Sequence, residues 1–495
     1  MRINFKLAKN PSPKISFVFF IFEADKISDQ PLFKFLNKTE SDYIKNISAS
    51  IKIKYKDIKV FALPGENRKI IAIGLPKEKN FSGEKAMFAM RMAVWAAKKE
   101  KIAEFAFWVC PVGSEEKTRE FYESISLNAV TANFEFIKYK SGKNEHVFVR
   151  EIQAICANPD KNIAEGFKRG MTIGEEINAC RELANTPGGD MTPQILANHA
   201  KNDSRGTKIK TTIFDEKKIK SLGMGGIIGV SKGSAEKPRF IIMEYWGGQK
   251  NEKPVVLVGK GVTFDTGGLN LKPDQAIYEM HMDMSGGSAV IHSIRTAARL
   301  GLKKNIVAIV PAVENMPSGS SYHPGDVLKT ISGKTIEVLN TDAEGRIILA
   351  DALSYAKKYN PKLVVDVATL TGAAIVALGQ RYTGLFTPDK KLEELFRKLG
   401  EESGDKVWPL PLSEDYEDEI KGTFGDWANV GKTRYGGATT AAVFLWQFTK
   451  DSNGQLYPWV HLDIAPRMTA IEGEYLSKGA AGAPVRLLVK LLEKF

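Results

Sequence analysis

Cysteine is scarce in this 495-residue chain: Cys110, Cys156 and Cys180 are odd in number and widely separated. They make neither a disulfide framework nor a CxxC metal site, and they point to a reducing, cytoplasmic setting. Histidine is also rare, six in all, with no HExxH and no zinc-type pairing with cysteine. Long apolar runs are missing. No stretch reaches the roughly 18 to 20 uninterrupted apolar residues of a membrane-spanning helix. The longest early run, ISFVFFIF at 15–22, is strand-length, and no small-residue cleavage pattern follows it, which argues against secretion. With 43% hydrophobic and 26% charged residues, disorder, coiled coil and collagen are excluded, and a soluble globular chain of two or three domains is expected.

The net charge of +12 is unevenly spread, with 27 Lys+Arg against 19 Asp+Glu in residues 1–160. A basic amino-terminal region raises the alternative of DNA binding, and KIKYKDIK at 52–59 interleaves lysines with Tyr55. The same run alternates Ile and Lys with the two-residue period of a half-buried strand, so the expectation is an edge strand kept soluble by lysine.

Residues 1–160 alternate strand-like runs (SFVFFIF, KVFALPG, KIIAIGL, EFAFWV, HVFVREI) with a helical stretch at 83–100, which predicts a smaller amino-terminal α/β domain. Residues 161–189 recur at helical spacing until Thr186, Pro187, Gly188 and Gly189 stop the pattern, which predicts a connecting helix. Residues 190–495 read as a larger α/β catalytic domain. Its runs PRFIIMEYW, PVVLVGKG, NIVAIVPAV, TIEVLN, KLVVDVATLTG and YPWVHLDIA are continuously apolar, the mark of a mostly parallel mixed sheet covered on both faces.

Such sheets bind ligands beyond the carboxyl ends of their strands. There PVVLVG runs into Lys260, then Asp265, Gly267, Gly268 and Lys272, while TIEVL runs into Asn340, Thr341, Asp342, Ala343, Glu344, Gly345 and Arg346. Asp283 stands just before Gly286, Gly287 and a helical stretch. Asp265, Asp283, Asp342 and Glu344 are therefore candidates for one crevice, where four carboxylates without counter-charge would be strongly unfavourable. Lys260, Lys272 and Arg346 allow a pure salt-bridge network. Two divalent ions are the other reading, since they balance four carboxylates and can share a bridging one at about 3.5 to 4 Å separation. Spacing alone leaves both open.

The segments VGKGVTFDTGGLNLKP (258–273), NTDAEGRIILADAL (340–353) and DVATLTGA (366–373) resemble the core motifs of the leucine, or cytosol, aminopeptidases. The resemblance extends through LANTPGGDMTP, LGMGGIIGVSKGS, PAVENMPSGSSYHPGD, WPLPL, GGATTAAVFLWQF and WVHLDIA, over nearly all of residues 180–495. It implies a metal-dependent aminopeptidase favouring leucine-like amino-terminal residues, assembled as a homohexamer. It further implies two divalent ions, Mn²⁺ or Zn²⁺, with Lys260, Asp265, Asp283 and Glu344 around the tighter one and Asp265, Asp342 and Glu344 around the exchangeable one. Lys272 and Arg346 would be catalytic, Lys272 on the oxyanion and Arg346 holding a proton-shuttling bicarbonate.

Several patterns compete and are set aside. Gly229 to Gly233 fits GxSxG but lacks the strand-to-helix elbow of a serine hydrolase. The run Gly223, Met224, Gly225, Gly226 lacks a phosphate-loop lysine and a following helix, and reads as a turn. His281, two residues before Asp283 on a strand-like segment, reads as packing or hydrogen bonding rather than ligation. Met280 and Met284 are candidates for a specificity pocket, with a core role open for Met284. Pro466 stands where the family usually has glycine, so the pocket shape there departs from the pattern.

Overall fold

A computed structural model describes residues 2–65, 67–109, 118–142, 145–449 and 455–495; Cys110 lies outside the described residues. The chain forms two compact units, Met1–Asn178 with Ala470–Lys478, and Ala179–Thr469 with Gly479–Phe495. The helix Lys161–Asn185 runs in sequence from one to the other.

The first unit holds β1 (Asn4–Ala8), β2 (Ser16–Phe22), β3 (Ile58–Ala62), β4 (Lys69–Leu75), β5 (Glu104–Trp108) and β6 (Glu151–Ile155), ordered β1-β6-β5-β2-β4-β3. Only β3 is antiparallel to its neighbour. Alternate residues of β2 go to opposite cores: Phe17, Phe19 and Ile21 to one, Val18 to the other. The edge strand β3 begins only at Ile58, so most of the lysine run at 52–59 lies before it. There Asp57 Oδ2 accepts from Lys54 N at 3.0 Å and Lys56 takes a left-handed φ of 69°, which turns the chain although Ile53 still buries.

In the second unit the strands are β7 (Ile209–Phe214), β8 (Arg239–Trp246), β9 (Val255–Gly259), β10 (Gly261–Asp265), β11 (Asn305–Asn315), β12 (Val327–Lys329), β13 (Thr335–Glu337), β14 (Leu363–Ala368), β15 (Thr383–Phe386), β16 (Val407–Pro409), β17 (Trp427–Ala428) and β18 (Trp459–Asp463). The main sheet is ordered β16-β15-β18-β14-β9-β11-β8-β7, with β10 on β11. It is mixed with a parallel centre: β18, β14, β9, β11 and β10 run the same way. Period-two side-chain placement builds a core on each face. Leu257, Ala308 and Val365 pack with Val290 and Leu487 on one side; Val256, Val307 and Val364 pack with Ile347 and Phe444 on the other.

TIEVLN does not join this sheet. Its three-residue strand β13 lies in a separate sheet, β12-β13-β17. Polar side chains hold it there: Glu337 Oε2 accepts from Thr423 N at 2.6 Å and Phe424 N at 2.8 Å, and Asp426 Oδ2 accepts from Thr335 N at 2.7 Å.

Candidate metal centre

The parallel centre of the sheet delivers polar residues to one end. Lys260 follows β9, Asp265 closes β10, Asn315 closes β11, Thr369 follows β14 and Asp463 closes β18. Strands β9 and β10 run consecutively along β11, and a bulge between Val262 and Phe264 shifts the register before Asp265 meets Asn315. Bulges of this kind re-aim a side chain beside a site. Gly267, at φ 90°, then turns the chain so that its N–H donates to Asp265 Oδ1 at 2.9 Å.

Two further segments close the site. Asp283 precedes the helix Ser285–Arg299, whose Gly287 N–H donates to the Lys260 carbonyl at 2.7 Å. Asp342 lies in a turn, where its N–H donates to Asn340 Oδ1 at 2.8 Å, and Glu344 is the first residue of the helix Glu344–Ala356. Asp342 and Glu344, two positions apart, are therefore presented one from a turn and one from a helix. Beside it, a Cβ on Gly345 would stand 2.5 Å from Lys260 Cε, so only glycine leaves room for the lysine.

Lys260 Nζ lies 2.7 Å from Asp283 Oδ2 and 2.8 Å from Glu344 Oε1, and donates to the Thr369 carbonyl at 3.1 Å. Lys272 Nζ lies 2.9 Å from Asp265 Oδ2 and also contacts Asp342 Oδ1. Thr369 Oγ1 donates to Asp283 Oδ1 at 2.6 Å. Six of the seven expected residues thus form two ion-paired groups, Lys260 with Asp283 and Glu344 and Lys272 with Asp265 and Asp342, which meet in one network where oxygens of Asp265, Asp342 and Glu344 approach within 4.8 Å. Arg346 joins it through the field of Glu344 and Asp342 and donates from Nη1 to the Asn429 carbonyl at 2.7 Å.

Two ammonium groups touch four carboxylates here, and burial, with the shortfall of positive charge, raises carboxylate pKa values. Burial, then Asp265, push Glu344 up to about 8; burial pushes Asp283 up to about 6 even against Lys260. Burial opposes charge on Lys260 too, but Asp283, Glu344 and Asp265 outweigh it and hold its pKa above the lysine range. Burial brings Arg346 down to about 10, still cationic at neutral pH.

The donor set fits divalent ions. Asp265, Asp342 and Glu344 each offer an oxygen, all within 4.8 Å of one another. Glu344 Oε2 is buried without a hydrogen-bond partner, as a ligand oxygen awaiting a cation would be. Asp283 stands outside that trio, linked to it through Lys260.

Sequence models of the cytosol aminopeptidase family match residues 178–489 for its catalytic domain and 18–143 for its amino-terminal domain. The chain belongs to the cytosol aminopeptidase family. It is 40% identical over 427 residues to a probable cytosol aminopeptidase of Paraburkholderia phymatum (86% of this chain, 83% of the relative). It is 37% identical over 484 residues to one of Nitrosospira multiformis (95% and 91%). Among solved structures it is similar to the bottromycin maturation enzyme BotP in complex with Mn, with TM-score 0.83, 27% identity and coverage of 97% and 99%. As a member of that family it is a metal-dependent aminopeptidase, a hydrolase acting on peptides.

The competing patterns resolve in the fold. Ser231 is the last residue of the helix Gly225–Ser231, its Oγ donating to the Ile228 carbonyl at 3.1 Å, with no strand-to-helix elbow. A helix does follow the Gly223 run, contrary to the sequence reading, but its Ile227 N–H donates to Asp351 Oδ2 at 3.0 Å. His281 sits on a 3₁₀ turn, Met280–Met282, not a strand. Met284 is fully buried in the core with Val290 and Leu257. Pro466 occupies the first turn of the 3₁₀ helix Ala465–Arg467, where a missing N–H costs little.

Other residues escaped the sequence reading. Asp463 accepts from Thr371 Oγ1 at 2.7 Å and Leu370 N at 3.1 Å, which fixes the turn that carries Thr369. Asn429 Oδ1 accepts from Leu339 N at 2.8 Å and its Nδ2 donates to the Asn340 carbonyl at 2.6 Å, bracing the Asp342 turn. An acidic residue inside the apolar run WVHLDIA was a signal for Asp463; nothing local marked Asn429.

Proposed function

We propose that the chain is a dinuclear aminopeptidase releasing leucine-like amino-terminal residues. The observation that carries this reading is the convergence of Asp265, Asp342 and Glu344 within 4.8 Å, with Asp283 and Lys260 beside them. Lys260, Asp265, Asp283 and Glu344 would hold one ion and Asp265, Asp342 and Glu344 the other. Two divalent ions supply a water acidified toward neutral pH and Lewis-acid polarisation of the scissile carbonyl. Oxygen donors suit Mn²⁺ and the Lys260 nitrogen suits Zn²⁺. Lys260 ligates only as the neutral amine; the carboxylates alone oppose that state, and dications at the same oxygens favour it.

The protein's own groups divide the remaining work. Asp283, at the end of the network away from Lys272, receives the substrate's free α-amine. Lys272 is the less buried ammonium, 15% exposed, and donates to the oxyanion as it develops. The Arg346 guanidinium suits a planar two-oxygen anion, so bicarbonate is the proton carrier this reading gives it. By likeness to its family the enzyme works in the cytoplasm as a homohexamer. The surplus of amino-terminal lysine serves solvation rather than DNA.

Metal-stripped protein supplied with Mn²⁺ or Zn²⁺ should hydrolyse leucyl-peptides and reject the same peptides once amino-acetylated. Equal cleavage of blocked and free peptides would overturn the assignment of Asp283 as amine acceptor.

A further inference from the structure

Asn315 ends β11 as the register partner of Asp265 at the end of β10. Its backbone carbonyl accepts from Thr266 N at 3.0 Å and Thr266 Oγ1 at 2.8 Å. Its side chain reaches two segments at once: Nδ2 donates to Asp265 Oδ1 at 2.8 Å and to the Thr341 carbonyl at 3.0 Å. Both amide hydrogens are thereby used, and both neighbours are acceptors only. The amide therefore has one orientation, because its flip would set Oδ1 against a carboxylate and a carbonyl. Oδ1 is left buried with no hydrogen-bond partner, an uncompensated desolvation that a residue serving packing alone would not carry.

The two segments joined by this amide carry three of the four carboxylates: Asp265 on one, Asp342 and Glu344 just after Thr341 on the other. The Thr341 turn is braced further, with Thr341 Oγ1 donating to the Gly267 carbonyl at 2.7 Å and Tyr322 Oη donating to the Thr341 carbonyl at 2.7 Å. On Asp265 the oxygens are divided. Oδ1 accepts from Asn315 and from Gly267 N, while Oδ2 faces Lys272 Nζ at 2.9 Å.

We propose that Asn315 is a positioning residue of the metal centre: it reserves Oδ1 of Asp265, leaves Oδ2 as the oxygen that meets the ions, and sets the separation of Asp265 from Asp342 and Glu344. This rests on the dinuclear reading above. Asn315 acts through Asp265 and the turn and does not touch substrate. Loss of a hydrogen-bond partner to a metal ligand typically weakens metal affinity by about 10- to 100-fold.

The test compares full-length wild type, Asn315→Ala and Asn315→Leu, each metal-stripped and titrated with Mn²⁺ while free Mn²⁺ is read by electron paramagnetic resonance. Alanine removes the donors and leaves space; leucine removes them and fills it. Wild type should bind two Mn²⁺ per chain, and both variants should bind at least one ion about 10- to 100-fold more weakly. Their kcat on a leucyl amide should recover as Mn²⁺ is raised. Asn315→Ser replaces either variant that fails to fold. A leucine variant with wild-type affinity for both ions, whatever its thermal midpoint in chelator, would overturn the proposal and reduce Asn315 to packing. A wild type that never binds a second ion would instead refute the dinuclear reading, and the proposal with it.

Discussion

Gly345→Ala isolates what the position of Lys260 is worth. The added methyl would stand 2.5 Å from Lys260 Cε and 2.8 Å from Nζ, so the lysine must retreat about 0.9 Å to reach the 3.4 Å edge of ordinary contact. Lys260 has little freedom to do so, being 3% exposed and tied to Asp283, Glu344 and Thr369 at 2.7, 2.8 and 3.1 Å. A retreat of that size stretches such contacts toward 3.6 Å, beyond a hydrogen bond. Overpacking a filled interior costs about 1 to 3 kcal/mol. The helical gain of alanine over glycine, at most about 1 kcal/mol, offsets only the low end of that range.

Gly345→Ala should therefore fold with a lowered thermal midpoint and lose at least about tenfold in affinity for one ion, with activity falling in step at limiting Mn²⁺. Gly83→Ala is the control: it lies at the start of the helix Gly83–Lys99, where a Cβ would meet nothing within 4 Å. Metal content by plasma mass spectrometry and kcat on leucyl p-nitroanilide read the outcome. If Gly345→Ala kept two ions at wild-type affinity and a kcat within about twofold of wild type, the amine position would not matter. Lys260 would then have to be removed from the ligand set.

Four further outcomes are expected. Glu344→Ala should lose metal as well as turnover, and a variant keeping two ions and a near-normal rate would show that Glu344 does not bridge. Lys272→Ala should keep its ions yet lose about 10²- to 10³-fold in kcat, as for one oxyanion donor; Arg346→Ala should keep more activity but respond weakly when bicarbonate is restored to carbonate-depleted protein, and a wild-type response would remove its anion role. Burial opposes charge on His461, but Asp366 Oδ1 at 2.6 Å raises its pKa above the usual 6.5, so its stabilising share is complete below about pH 6.5 and lost as pH rises through the folded value. The difference in thermal midpoint between wild type and His461→Gln should therefore shrink toward alkaline pH, and a constant difference would mean that folding does not raise the pKa of the ring.

What could be read beforehand follows from how far apart in the chain the interacting groups lie. The run at 340–346 was legible because its parts serve one another locally: Asn340 holds Asp342 N–H at 2.8 Å, Glu344 begins a helix and Gly345 makes room beside it. Lys260 and Asp265 were legible because a buried parallel strand has to end somewhere, and charge at such an end stands out against the apolar run before it. The carrier of Asp342 was misread because the apolar residues of TIEVLN fit a central strand equally well. Asp426, the amides of Thr423 and Phe424, and Asn429, 86 to 91 positions on, help to hold that segment in its own sheet. Asn315 and Thr369 were hidden for the same reason. Their partners Asp265 and Asp283 are 50 and 86 residues away, and an asparagine or threonine at a strand end has the same local pattern whether it orients a carboxylate or merely caps a turn. Residues that supply charge to this centre are therefore visible along the chain, whereas those that aim the charge become visible only once β10, β11 and β14 bring their ends together.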